Sequence, residues 1–91
     1  MLVEGLIFSN EEIVTIDIGK TGVYQYNLDG RSGQEKAPVP AWPWGTLAVF
    51  GGMWGIIQFA TTTEPNNKRV YIRGGRGGGE TYEFNDWSTI P

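Results

Sequence analysis

The apolar positions of this 91-residue chain fall in short runs, and most of those runs repeat every second residue. The most hydrophobic stretch is Leu47 to Thr63, LAVFGGMWGIIQFATTT. It divides at Gly51-Gly52 into two β-type runs, Leu47–Phe50 and Met53–Ala60, which predict the central strand pair of the molecule. Trp54 lies inside that pair and is expected in the core. Upstream, Leu2–Phe8 reads as a first strand weakened by Gly5, and Ser9–Glu12 as a turn. Val14, Ile16 and Ile18 alternate with Thr15 and Asp17, the pattern of a half-buried strand. Gly19–Gly22 then connects to Val23–Leu28, so residues 13–28 are expected to form a hairpin that ends at Asp29-Gly30.

Downstream, Pro65-Asn66-Asn67 predicts a turn, and Arg69–Arg73 alternates cleanly. Gly74–Gly79 is expected to break that strand as a glycine-rich hairpin loop. Thr81–Phe84 follows as a last short strand, and Asp86–Pro91 as a tail. Apolar residues never recur at helical spacing over ten residues, so little or no helix is expected. The fold class is therefore all-β: a small sandwich or barrel of six to eight short antiparallel strands in a single domain, 1–91.

Residues 31–45, RSGQEKAPVPAWPWG, fit no strand pattern. Pro38, Pro40 and Pro43 remove backbone donors and bias their neighbours toward extended geometry, which predicts an irregular Pro/Trp-rich arm. Such an arm can cover its own sheet or reach onto a neighbour. Its stiffness and its aromatic anchors, Trp42 and Trp44, favour the neighbour.

The composition narrows the chemistry. A chain of this length has a thin core, and here no Cys or His can reinforce it through a disulfide or a thiolate or imidazole metal site. Association with other subunits is the remaining source of extra stability. The net charge is −3, and residues 46–91 carry four charges of each sign, which is not the basic surface that nucleic-acid binding needs. The N-terminal MLVEGLIFSNEE lacks the basic region of a signal peptide, and no apolar run reaches a membrane-spanning length.

Two glycine motifs resemble phosphate loops without their context. Gly74–Gly79, with Arg73 and Arg76, leads into strand-like sequence rather than a helix, and Gly19-Lys20-Thr21 lacks the upstream glycine of a Walker loop. The acidic residues single out no pair for glycoside hydrolysis, and nucleophilic triads are excluded without His or Cys. No enzyme activity and no cofactor are expected. Four Trp and four Tyr are many for so short a chain, and they suit either subunit contacts or a sugar-stacking face. The candidate partner-binding residues are Trp42, Trp44, Trp87, Arg73 and Arg76.

The segment Gly51-Gly52-Met53-Trp54-Gly55-Ile56-Ile57-Gln58-Phe59, entered from Leu47–Phe50, resembles an element of small β-rich structural proteins of tailed bacteriophages. In those proteins a Gly-x-Trp-Gly-Gly element precedes an alternating strand, a polar turn and another strand; here Ile56 replaces the second glycine, and Glu64-Pro65-Asn66-Asn67 replaces an Asp-Gly-Gly turn. The resemblance spans residues 47–73. It implies a virion structural subunit assembled in the host cytoplasm: a capsid decoration or cement protein, or another head or tail accessory. Its partners would be further copies of itself and a major capsid or tail protein, with no membrane and no nucleic acid. A free-standing carbohydrate- or ligand-binding β module is the alternative.

Overall fold

The computed structural model describes residues 8–65, 69–78 and 81–90. The chain is almost entirely β, with no α-helix among the described residues. Among the described residues, seven strands form one curled sheet: β1 (Phe8–Ile13), β2 (Gly22–Asn27), β3 (Trp44–Gly51), β4 (Ile56–Ala60), β5 (Val70–Gly78), β6 (Thr81–Phe84) and β7 (Ser88–Ile90). Their order is β1-β2-β3-β4-β5-β6, with β7 also paired to β5. β6 runs along Gly75–Gly78 and β7 along Val70–Ile72, so the two lie end to end on one edge of β5.

The central pair is the expected one. Leu47 and Val49 of β3 and Ile56 and Ala60 of β4 are buried on the inner face, together with Tyr26 of β2 and Tyr71 of β5. The strict two-residue period of β3 and β4 divides their side chains cleanly between the faces.

Four expectations are corrected. First, residues 13–28 are not a hairpin. Ser9–Glu12, read as a turn, lies in β1, and β1 runs parallel to β2, so the sheet is mixed. The eight residues between Ile13 and Gly22 cross the inner face instead of pairing as a strand. Ile16 is buried beneath this crossing, and Gln58 of β4 donates from Nε2 to the carbonyls of Ile16 and Ile18 at 2.9 and 2.8 Å. A buried glutamine thus replaces the ladder that alternation had implied. The expected strand Leu2–Phe8 lies outside the described residues except for Phe8.

Second, the glycine run does not break the strand. β5 continues through Gly78, and Gly75 and Gly77 stand opposite Phe84 and Tyr82. A Cβ on Gly75 would lie 2.6 Å from Phe84 Cε1, and one on Gly77 would lie 2.6 Å from Tyr82 Cε1. The aromatic rings occupy the space a side chain would fill, so glycine there is a packing requirement. Third, the tail contains β7.

Fourth, the Pro-rich segment folds back on its own sheet. Ala37 and Pro43 are buried, Val39 packs on the core, and the N–H of Leu28 donates to the Pro43 carbonyl at 2.9 Å. A short 3-10 turn, Gln34–Lys36, lies within it, and Trp44 already belongs to β3. The segment is not extended but a succession of turns and bends, closed by bonds such as Trp42 N–H to the Val39 carbonyl, and its three apolar residues cover the inner face.

Candidate docking surface

Trp54 is not in the core. β3 and β4 are joined at Gly51 and Ile56, the N–H of Gly52 donates to the Gly55 carbonyl at 2.8 Å, and Met53-Trp54 form the tip of the hairpin. Their side chains are 86% and 90% exposed. Behind them, Phe50 and Ile57 face each other across the two strands on the outer surface, 48% and 46% exposed. The Phe50 ring meets Phe59 edge-on at 6.0 Å. The sequence carried a signal for this arrangement: two residues bracketed by Gly51-Gly52 and Gly55 are a turn, and the side chains of a tight hairpin tip leave the sheet.

Beside the tip lies a cleft of about 360 Å³ whose walls include Gly19, Lys20, Gly51, Gly52, Gly55 and Tyr82. The Gly51 backbone passes directly against the Gly19 carbonyl, where no side chain would fit. Thr21 fastens this corner, its hydroxyl accepting from the Gly51 N–H at 2.9 Å. The root of the hairpin is therefore tied down while its two tip side chains stand free of the fold.

Arg73 lies inside the molecule. Its side chain is 6% exposed, donates from Nε to Gln58 Oε1 at 2.7 Å, and donates from Nη2 to the Ile16 carbonyl and Asp17 Oδ1 at 3.0 and 3.1 Å. The guanidinium is stacked between two rings, 4.1 Å from the Phe84 centroid and 4.4 Å from that of Trp87. Burial lowers its pKa, opposed by the bond to Asp17. Asp17 also accepts from Lys36 Nζ at 2.6 Å, which raises the lysine pKa. Trp87 donates its indole N–H to the Lys36 carbonyl at 2.9 Å. One arginine thus ties together the crossing segment, β4, β5 and the corner between β6 and β7.

Of the remaining sequence-derived candidates, Arg76 is exposed and paired with Glu83 at 3.2 Å on the outer corner of β5 and β6. Trp42 is 38% exposed at the edge of the folded-back segment. Trp44 is half-buried at the start of β3, and its carbonyl accepts from the Thr63 N–H at 3.2 Å. Trp87 is half-buried over Arg73. The structure does not gather these five residues into one patch. Among the described residues, no three acidic side chains cluster in a way that could hold a metal ion.

The sequence matches no protein family, no curated protein and no solved structure.

Proposed function

We propose that this chain is a non-enzymatic structural subunit that docks onto a larger protein assembly through the Met53-Trp54 hairpin tip. The observation that carries this reading is the tip itself: two large apolar side chains almost wholly in water on a hairpin whose root is fixed. Leaving such side chains exposed forgoes about 1.5–3 kcal/mol each relative to burial, and Trp and Met are residues that protein interfaces favour. A Trp on a two-residue tip whose root is tied down enters a partner's pocket with little backbone ordering cost, as interface anchors do. With the resemblance of residues 47–73 to small phage structural proteins, the assembly is a tailed-phage virion and the docking site a capsid or tail lattice.

A second reading, a carbohydrate- or ligand-binding module, draws on the cleft beside the tip, where Tyr82 stands next to exposed glycine backbone. Mass spectrometry of purified virus particles from cells that make the chain, together with a glycan array on the purified chain, decides between them. Stoichiometric peptides in the particles and a blank array support docking. A chain absent from particles that binds a defined sugar, with binding lost in Tyr82→Ala, overturns it.

A further inference from the structure

Three of the five N–H donors of Arg73 hold the interior together, one on Nε and two on Nη2. The two on Nη1 make no hydrogen bond among the described residues. Every fully buried side-chain nitrogen and oxygen described has a partner, so Nη1 opens to the surface even though the side chain is only 6% exposed. Arg73 lines a pocket of about 260 Å³ together with the two rings that stack on it, Phe84 and Trp87. Lys36 and Asn85 add N–H donors to the same walls, and the exposed carboxylates of Glu35 and Asp86 add acceptors. Asp17 also borders the pocket, already engaged by Arg73 and Lys36. Buried polar groups normally close all their bonds, and this guanidinium, held between two rings, has room for one more acceptor from outside.

We infer that the pocket binds a single neutral sugar ring, a pyranose. Its charge selects that ligand first. Two cations and three carboxylates line it, so an anion would meet the carboxylates and a cation would meet a permanently charged guanidinium. A neutral polyol meets neither penalty, because each hydroxyl can accept from Arg73 Nη1 or Lys36 and donate to Glu35 or Asp86. The aromatic wall is the second feature: Trp87 is half-buried, and its electron-rich ring suits the C–H groups of a pyranose. Size is the third, since the volume falls just below the roughly 300–1,000 Å³ of sites for drug-sized ligands and takes one ring rather than a chain of them. A ligand of about a dozen non-hydrogen atoms binds such a site at roughly millimolar concentration. That is too weak for a glycan array to retain, so a blank array does not bear on this site. The pocket shares no residue with the hairpin tip or the cleft beside it, and tip docking and sugar binding can each hold without the other.

The test is a titration of the isotope-labelled full chain, followed by proton–nitrogen NMR, with the methyl glycosides of glucose, galactose, mannose and N-acetylglucosamine up to about 50 mM. At least one should give saturable shifts centred on the indole N–H of Trp87, which the Lys36 carbonyl accepts, and on the side-chain amide of Asn85, with the Trp54 indole unmoved. Methyl glucuronide, the same ring carrying a carboxylate, should bind about tenfold more weakly, and acetamide, a donor and acceptor without the ring, should not saturate. Glu35→Ala/Asp86→Ala removes two exposed acceptors, so it should melt with the parent and weaken the sugar at least about tenfold. No saturable shift from any of the four glycosides overturns the inference. So does glucuronide binding as tightly as the neutral rings, which would make this an anion site, or acetamide saturating like the sugars, which would make it a site for a partner's amide. Shifts centred on Lys20 and Tyr82 overturn it by placing the sugar in the cleft, and a natively melting double variant that binds as the parent does overturns it as well.

Discussion

Gly74 and Gly75 are adjacent in sequence and in strand, and they should respond to alanine in opposite ways. At Gly75 a Cβ would stand 2.6 Å from Phe84 Cε1 and 2.8 Å from the Glu83 carbonyl oxygen. The ring could turn aside only by leaving the Arg73 guanidinium it stacks on, and the carbonyl belongs to the β5–β6 ladder and cannot yield without breaking it. Overpacking of this kind costs about 1–3 kcal/mol. Loss of the cation–π contact adds about 0.5–2 kcal/mol. At Gly74 the nearest atoms to a Cβ are 3.9 Å away, and alanine removes the entropic weakness of a strand glycine, worth about 0.5–1 kcal/mol. For a domain of this size each kcal/mol moves Tm by about 4–8 °C. Thermal unfolding should therefore show Gly75→Ala several degrees below the parent and Gly74→Ala equal to it or a few degrees above. Two variants that melt together would refute the strand assignment and restore a pliable glycine loop.

Other perturbations test other parts of the structure. Arg73→Met takes from Gln58 Oε1 and the Ile16 carbonyl the donor they share, while Asp17 keeps Lys36 and Ile16 keeps Gln58 Nε2, and should cost about 1–3 kcal/mol by urea unfolding for the stranded glutamine oxygen; Arg73→Lys should recover only part of this, because an ammonium cannot fork between them or stack flat against two rings. Trp54→Ala should leave the unfolding free energy within about 0.5 kcal/mol, since the side chain is 90% exposed; a larger loss by the same assay would place it in the core. Burial raises the pKa of Tyr26 well above the phenol range, with Tyr71 and Glu64 adding to the effect, while an unfolded tyrosine ionises near its ordinary value of 10.0. The unfolded chain then releases a proton the native state keeps, so stability should fall as pH rises above about 10. Tyr26→Phe should flatten that fall while lowering neutral-pH stability by about 1 kcal/mol for the lost bond to the Thr61 carbonyl, both readable from urea midpoints across pH.

The parts of the fold visible in the sequence were those where a side chain alternates between a packed and an open face. The apolar runs Leu47–Phe50 and Met53–Ala60 mark the central pair, and in the structure Leu47-Val49 and Ile56-Gln58-Ala60 alternate inward as that rule requires. Ile16 and Ile18 obey it too, yet their carbonyls bond to a glutamine side chain rather than a neighbouring strand, and periodicity cannot distinguish the two. The glycine run failed as a strand signal because its partners' rings, Phe84 nine residues after Gly75 and Tyr82 five after Gly77, fill the missing volume. The charge of Arg73 suggests an exposed contact, but its role depends on Phe84 and Trp87 folding over it from the far edge of the sheet. At the hairpin tip, hydrophobicity suggested burial and flanking glycines indicated a turn; the turn geometry prevailed, because a two-residue loop has no sheet on which to lay its side chains.

The docking account is tested most directly by comparing incorporation of the parent chain and Trp54→Ala into assembled particles, with both monomers' melting curves measured alongside. The account predicts matching curves, with Trp54→Ala depleted from particles at least tenfold, about 1.4 kcal/mol of lost contact and well within the range for an interface tryptophan. Equal incorporation of the two, with equal melting, would contradict it.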